Sequence, residues 1–327
     1  MSIRLRTPLL LLLLAATWFN TGCAGPRPVE NRPLSAREME QFFSRAQDER
    51  RFWLTKYESD QGPVFSGAHR LHADKFALMP FEGHRNLPVP KIAVRLRSPQ
   101  EHAALIDSSA RANWIEFGLA QTAGVIPIGP PSYQLFAAHV NDAIPGYLSV
   151  ASRLILDQLH VDTALLYVKA AHGPMTELTR DEKALRAPII LGSEFLRAFH
   201  FVQINYPART VLFSTTTPYE ADPDRLLTSV PMRELNGIIA VEGYFDDQRT
   251  PFLLDTLGDY SVASDFGSHQ TVQQIIIGDL VLRNQPHAEA STLDLGMLEV
   301  PRIGRRILSR YIVTFDRRNR LIHFERP

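Results

Sequence analysis

Two aspartates in this chain have matching surroundings. Asp107 closes the apolar run 103–106 and is followed by Ser108, while Asp255 closes the apolar run 252–254 and is followed by Thr256. A carboxyl group at the end of an apolar strand serves as a general base when ionised and as a general acid when protonated. Two such groups brought within about 3 Å cannot both ionise cheaply, so one retains a proton. The pair can then take a proton from a water molecule with one member and protonate a carbonyl oxygen with the other. That chemistry requires no metal and no cofactor, and none is expected here.

Other reactive residue types fit the sequence less well. Ser193, in 191–195, lacks the glycine two places on that a nucleophile elbow needs, which argues against a serine hydrolase. His69, His72 and His84 precede the first aspartate, but a three-residue spacing without a fixed third ligand reads as solvated loop histidines rather than a metal site. Arg302, Arg305, Arg306 and Arg310 are expected on a solvated face of the terminal segment. The single cysteine, Cys23, excludes an internal disulfide framework and any thiolate cluster.

The elements around the aspartates occur twice. In the first copy an alternating strand, 91–96, crosses a polar turn and returns through 103–106 into Asp107-Ser108-Ser109. In the second, 237–242 turns at 246–248 and returns through 252–254 into Asp255-Thr256-Leu257-Gly258. The copies also end alike: Ile190-Leu191-Gly192 leads to apolar residues and a strand pair closing at Phe213, and Ile303-Gly304 leads to a similar pair closing at Phe324. Linker composition at 214–225, with three threonines and two prolines, separates them. Strands with turn signals between them, and only short helical stretches, predict an all-β chain of two barrel-like lobes with a cleft between them.

A strand ending in Asp-Ser/Thr, then an apolar-apolar-Gly turn, a short helix and a hairpin, resembles the aspartic proteases. The chain is similar to a two-lobed member over about residues 87–324, each lobe resembling the retropepsin-like and pepsin-like domains. The resemblance implies catalytic roles for Asp107 and Asp255, bracing hydroxyls at Ser108 and Thr256, and turn glycines at Gly192 and Gly304. Asn113-Trp114-Ile115 matches the segment after the motif in pepsin-like lobes. It also implies a peptide or protein substrate, and aspartic proteases are the standard example of the split titration described above.

The pattern departs from the family in two ways. Its usual Asp-Thr/Ser-Gly has Ser109 and Leu257 at the third place, where a side chain must find room or reshape the loop, with Gly258 positioned to supply freedom one residue late. Asp107 also stands 85 residues before Gly192, whereas Asp255 stands only 49 before Gly304. The first copy therefore carries an insertion, 125–147, readable either as a lid with Tyr133 or Tyr147 over the cleft or as an irregular surface loop. The altered third residues favour, as an alternative to an endopeptidase, an inactive relative that binds a polypeptide or envelope partner. A structural envelope lipoprotein is a further option.

The length of 327 residues suits two domains, and 45% hydrophobic with 21% charged residues is a globular composition that excludes disorder. Thirty-five basic against 35 acidic residues give no sequence-wide reason to bind nucleic acid. Arg4, Arg6 and the apolar run 9–19 have the form of a secretory leader. The following Asn20-Thr21-Gly22-Cys23 resembles a bacterial lipoprotein signal, which implies lipidation of Cys23 and a periplasmic or cell-envelope location, with secretion if Cys23 is not lipidated. The boundaries expected are 1–23 for the leader, 24–60 for a proline-rich tether and a helix, 61–218 for the first lobe and 219–327 for the second, in a monomer. Ser35 with Glu38 forms a capping-box signature, and Met39, Phe42, Phe43, Ala46 and Arg50 at helical spacing predict a helix through about 39–57.

Overall fold

A computed structural model describes residues 32–59, 62–72, 76–83, 88–131, 134–136, 145–173, 186–265, 270–289 and 300–327. Strands make up 52% of the described residues and helices 11%, so the class is all-β. The strand sequences show why. In Lys91–Arg95 the burial alternates, with Ile92 and Val94 in the core and Lys91, Ala93 and Arg95 partly exposed, the period-two pattern of a strand with one face packed.

Each half closes a six-stranded ring. In the first, Lys91–Arg95 pairs with Glu101–Ile106, which runs parallel to Ile189–Leu191. The ring continues through Trp114–Ile115, Leu159–Lys169 and Pro145–Leu156, and Ile155 pairs with Arg95 to close it. In the second, Ile238–Phe245 pairs with Gln248–Leu254, which runs parallel to Arg302–Ile303. Val262–Ser264, Leu280–Glu289 and Thr271–Ile277 follow, and Tyr244 pairs with Ile276 to close the ring. Strand order and every relative direction are the same in both rings, so the repeat read in the sequence is a repeat of topology. Closure leaves no free sheet edge in either ring.

A third sheet joins the halves. It runs Phe76–Pro80, Thr210–Ser214, Phe201–Asn205, Ile312–Asp316, Leu321–Glu325, Leu226–Leu235, antiparallel throughout, with three strands from each half. Gln203 pairs with Thr314 at its middle, where the two halves meet.

The leading helix is shorter than its spacing predicts. Ser35 caps it and exchanges hydrogen bonds with Glu38 as expected, but the helix spans only Ala36–Phe43. The reason is competition for the backbone: Gln47 hydrogen-bonds with Pro127 and Gly129, Asp48 caps a single 3-10 turn at Glu49–Phe52, and Thr55–Ser59 then pairs with Gly62–Ser66. The apolar spacing past Phe43 therefore serves a different set of contacts.

The insertion in the first copy takes part in the ring wall. Ile126–Pro127 pairs with Val150 and Ser149, and Gln134–Phe136 pairs with 145–147 as a hairpin. In the second half only six residues separate Ser264 from Thr271, so this hairpin belongs to one lobe alone. Tyr147 packs against Phe43 with ring centres 5.0 Å apart, which places it at the hairpin base on the leading helix. Tyr133 lies outside the described residues.

Candidate active site

Both aspartates emerge from the same local construction. Asp107 follows the strand Glu101–Ile106, and its amide donates to Leu191 O at 2.9 Å; Asp255 follows Gln248–Leu254 and donates to Ile303 O at 2.8 Å. Each then folds its side chain back over the next residues in an Asx turn. Asp107 Oδ1 accepts from the amides of Ser109 and Ala110 and from Ser109 Oγ, at 2.9, 3.1 and 2.7 Å. Asp255 Oδ1 accepts from the amides of Leu257 and Gly258 at 3.0 and 2.8 Å.

The hydroxyls that follow tie the two turns together. Thr256 Oγ1 donates to Ile106 O at 2.6 Å and accepts from the Ser108 amide at 3.1 Å, and Ser108 Oγ donates to Leu254 O. All of these groups are buried. Each loop is thus held by the carbonyl that precedes the other loop's aspartate, which brings residues far apart in sequence to one seam. Ser193 Oγ adds a further tie, donating to Ser108 O at 2.7 Å and accepting from the Ile239 amide at 3.1 Å, so that hydroxyl is structurally engaged.

Gly192 and Gly304 sit behind the loops where no side chain fits. A Cβ on Gly192 would lie 2.7 Å from Ala110 O and nearer still to Ala112 O, and one on Gly304 would lie 2.6 Å from the Tyr260 ring. The amide after each glycine then reaches the aspartate loop: Ser193 N donates to Ala110 O and Arg305 N to Gly258 O, both at 2.8 Å.

The residues at the family's third place find room. Ser109 turns its hydroxyl onto Asp107, and Leu257 packs with Val89, Leu105 and Ala187 in a small apolar cluster with residues of the first half. Gly258 does not take up positive φ. What it supplies is space: a Cβ there would stand 2.6 Å from Tyr260 Cζ and 2.7 Å from Asp255 Oδ2.

That space admits a feature absent from the other half. The Tyr260 hydroxyl donates to Asp255 Oδ2, and Arg302 Nη1 lies 3.9 Å from the same oxygen, with both side chains nearly fully buried. Arg302 Nε is buried without a hydrogen-bond partner among the described residues. Burial pushes the Tyr260 phenol well above its ordinary range, so it stays a donor. By contrast, every donor to Asp107 converges on Oδ1, and none of the described residues reaches its Oδ2. Burial, and then the charge of Asp255, raise the Asp107 carboxyl to about 6, against the opposing effect of the Ser109 hydrogen bonds and Arg302.

Sequence reasoning missed Tyr260 and Arg302. The signal was present as asymmetry: Arg302 occupies the place of Ile190, two before the turn glycine, and a cation inside a core strand calls for a partner. The expected solvated arginine face is corrected accordingly. Arg302 and Arg305 are buried, Arg305 Nη2 lying 3.2 Å from Asp259, while Arg306 and Arg310 are exposed. His69 is buried beside Asn113 and Phe195, which corrects the expectation of a solvated histidine there; His72 is exposed and meets Asp162 at 2.9 Å. His84 and Cys23 lie outside the described residues.

The fold and its seam define a two-lobed, all-β protein with a buried, asymmetrically supported aspartate pair. No protein-family model matches the chain, and no curated protein matches its sequence. Among solved structures it is similar to Basic 7S globulin from soybean, with 10% identity and a TM-score of 0.48 over 77% of this chain and 95% of that one. A likeness at that level carries no argument about activity.

Proposed function

We propose that the chain is an exported endopeptidase of the aspartic type, which hydrolyses peptide bonds with a water molecule activated between Asp107 and Asp255. The observation that carries this reading is the unequal support of two tied aspartates. Asp107 holds its proton to about pH 6, and Asp255 Oδ2 receives a donor hydroxyl beside a guanidinium. A carboxylate oxygen has two lone pairs, so the Tyr260 hydroxyl leaves one on Oδ2 for a water proton.

In this scheme Asp255 takes a proton from water as its oxygen attacks the peptide carbon, and Asp107 delivers its proton from Oδ2 to the carbonyl oxygen, giving a neutral diol. Asp255 then passes its proton to the departing nitrogen while a diol hydroxyl returns one to Asp107. The C–N bond breaks and both carboxyls regain their starting states. The tied loops supply positioning, for which a misplacement of about 1 Å costs on the order of 100-fold.

The test is cleavage of an unfolded protein by the full chain between about pH 3 and pH 8, beside the Asp107→Asn/Asp255→Asn double variant. Turnover confined to the unaltered chain supports the mechanism, and turnover that survives the double change removes it. Export and lipid attachment at Cys23 are proposed with it, and mass spectrometry of the mature N-terminus reads both.

A second reading, a fold kept for binding a polypeptide without cutting it, draws on Tyr260, whose hydroxyl already occupies Asp255 Oδ2. It prevails if the chain retains unfolded protein but turns over none.

A further inference from the structure

The first lobe carries an unusual surface at the hairpin Thr55–Ser59 with Gly62–Ser66. One face of the hairpin covers the satellite core of Leu54, Ile128, Leu148, Val150 and Leu165, to which Phe65 adds its ring. The other face carries the cross-strand pair Tyr57 and Val64, which are 57% and 48% exposed. Trp53 leads into it and is 78% exposed, the largest exposure among the large hydrophobic residues of the described chain. Its backbone stands at φ 59°, ψ 29°, capping the preceding 3-10 turn in the left-handed region. A bulky aromatic residue is costly there and buries little, so the core gives no reason for it.

The same tryptophan lines a cavity of about 510 Å³ with Arg51, Arg70, Arg97, Arg153 and Asp162. Arg153 and His72 engage Asp162, but Arg51, Arg70 and Arg97 have no acidic partner among the described residues. A chain with no net charge thus gathers four arginines against one carboxylate around one mouth, with the exposed Trp53 at its rim.

We propose that this face docks on an anionic phospholipid bilayer. Guanidinium groups match phosphate oxygens in pairs, and tryptophan and tyrosine settle at the boundary between headgroups and acyl chains, with the apolar body inward and the polar edge outward. Charge complementarity selects the anionic headgroup, and the exposed Trp53 at the rim, leading into the hairpin that exposes Tyr57 and Val64, selects a bilayer over an acidic protein, which would engage the arginines without needing an insertable apolar tip. The docking is separate from the aspartate chemistry.

The chain from Asn31 onward forms one compact unit and lacks both the apolar run 9–19 and Cys23, so it reports on this face alone. It is sedimented with vesicles of phosphatidylcholine, with or without phosphatidylglycerol, while tryptophan emission is recorded. Binding is expected only with phosphatidylglycerol, to weaken with salt, and to shift Trp53 emission to the blue over a constant signal from buried Trp114. Arg70→Gln/Arg97→Gln should weaken binding about 25-fold, roughly fivefold per arginine. Trp53→Asn, which tolerates the left-handed backbone, should weaken sedimentation with the phosphatidylglycerol vesicles about 3-fold or more. Equal binding to both vesicle types, binding unchanged in these variants with an unchanged melt, or displacement by polyglutamate as complete as by lipid would each overturn the proposal.

Discussion

The two aspartates should answer the same substitution with opposite changes in stability. Asp107 keeps its proton to about pH 6 in the fold, against 3.8 for the free side chain. Because its folded pKa is raised, the associated stability is fully present below about pH 3.8 and is lost as pH rises through about 6. Above that window the ionised side chain costs the fold about 3 kcal/mol. Asp107→Asn retains Oδ1 as acceptor for Ser109 and Ala110 and removes the charge, so near pH 8 it should stabilise the chain by about 3 kcal/mol, or about 5 °C in melting temperature at this size. Near pH 4 it should change little, since Asp107 is then largely neutral anyway.

Asp255→Asn should do the reverse. It leaves Arg302, nearly fully buried, without its carboxylate and confronts the Tyr260 hydroxyl with an amide donor. Loss of one partner of a buried ion pair costs about 3–5 kcal/mol, and relief of the repulsion on Asp107 returns part of it, for a net loss of about 2 kcal/mol near neutral pH. Thermal melts of both single variants from about pH 4 to pH 8 provide the assay. Shifts of the same sign, or an Asp107→Asn shift that does not depend on pH, would refute the asymmetric reading of the pair.

Two further variants test the parts particular to the second aspartate loop. Tyr260→Phe removes the donor to Asp255 Oδ2, and since a hydrogen bond to a charged group contributes about 1.5–3 kcal/mol, kcat should fall about 10- to 100-fold with KM unchanged, read from initial rates. Leu257→Gly, which restores the family's glycine, should nonetheless destabilise the chain by about 3 kcal/mol in a thermal melt, because it empties the cluster of Val89, Leu105 and Ala187; an unchanged melting temperature would mean the leucine packs nothing.

The strand repeat and the two aspartates were legible because their signals are local. Alternation in 91–96, the apolar run into each aspartate and the capping box at Ser35 all lie within a few residues. The failures share a different cause. The helix expected through 39–57 stops at Phe43 because Gln47 pairs with residues about 80 positions away, a competition that helical spacing cannot register. Tyr260 and Arg302 meet at Asp255 only once the ring has placed Arg302–Ile303 beside Gln248–Leu254. Leu257 looked obstructive because the sequence does not reveal that Val89, Leu105 and Ala187 receive it.

The sheet shared by the halves also bears on how the polypeptide is made. Phe201–Asn205 has its outer neighbour, Thr210–Ser214, a few residues away, but its inner neighbour, Ile312–Asp316, is synthesised more than a hundred residues later. During that interval Val202 and Ile204 stand on a strand whose amides and carbonyls are open on one side, a template for any extended segment nearby. A growing chain that has finished its first ring is therefore adhesive until Ile312–Asp316 has been made. Translation thus yields a sticky half-molecule, and the strand Ile312–Asp316 is the piece that seals it.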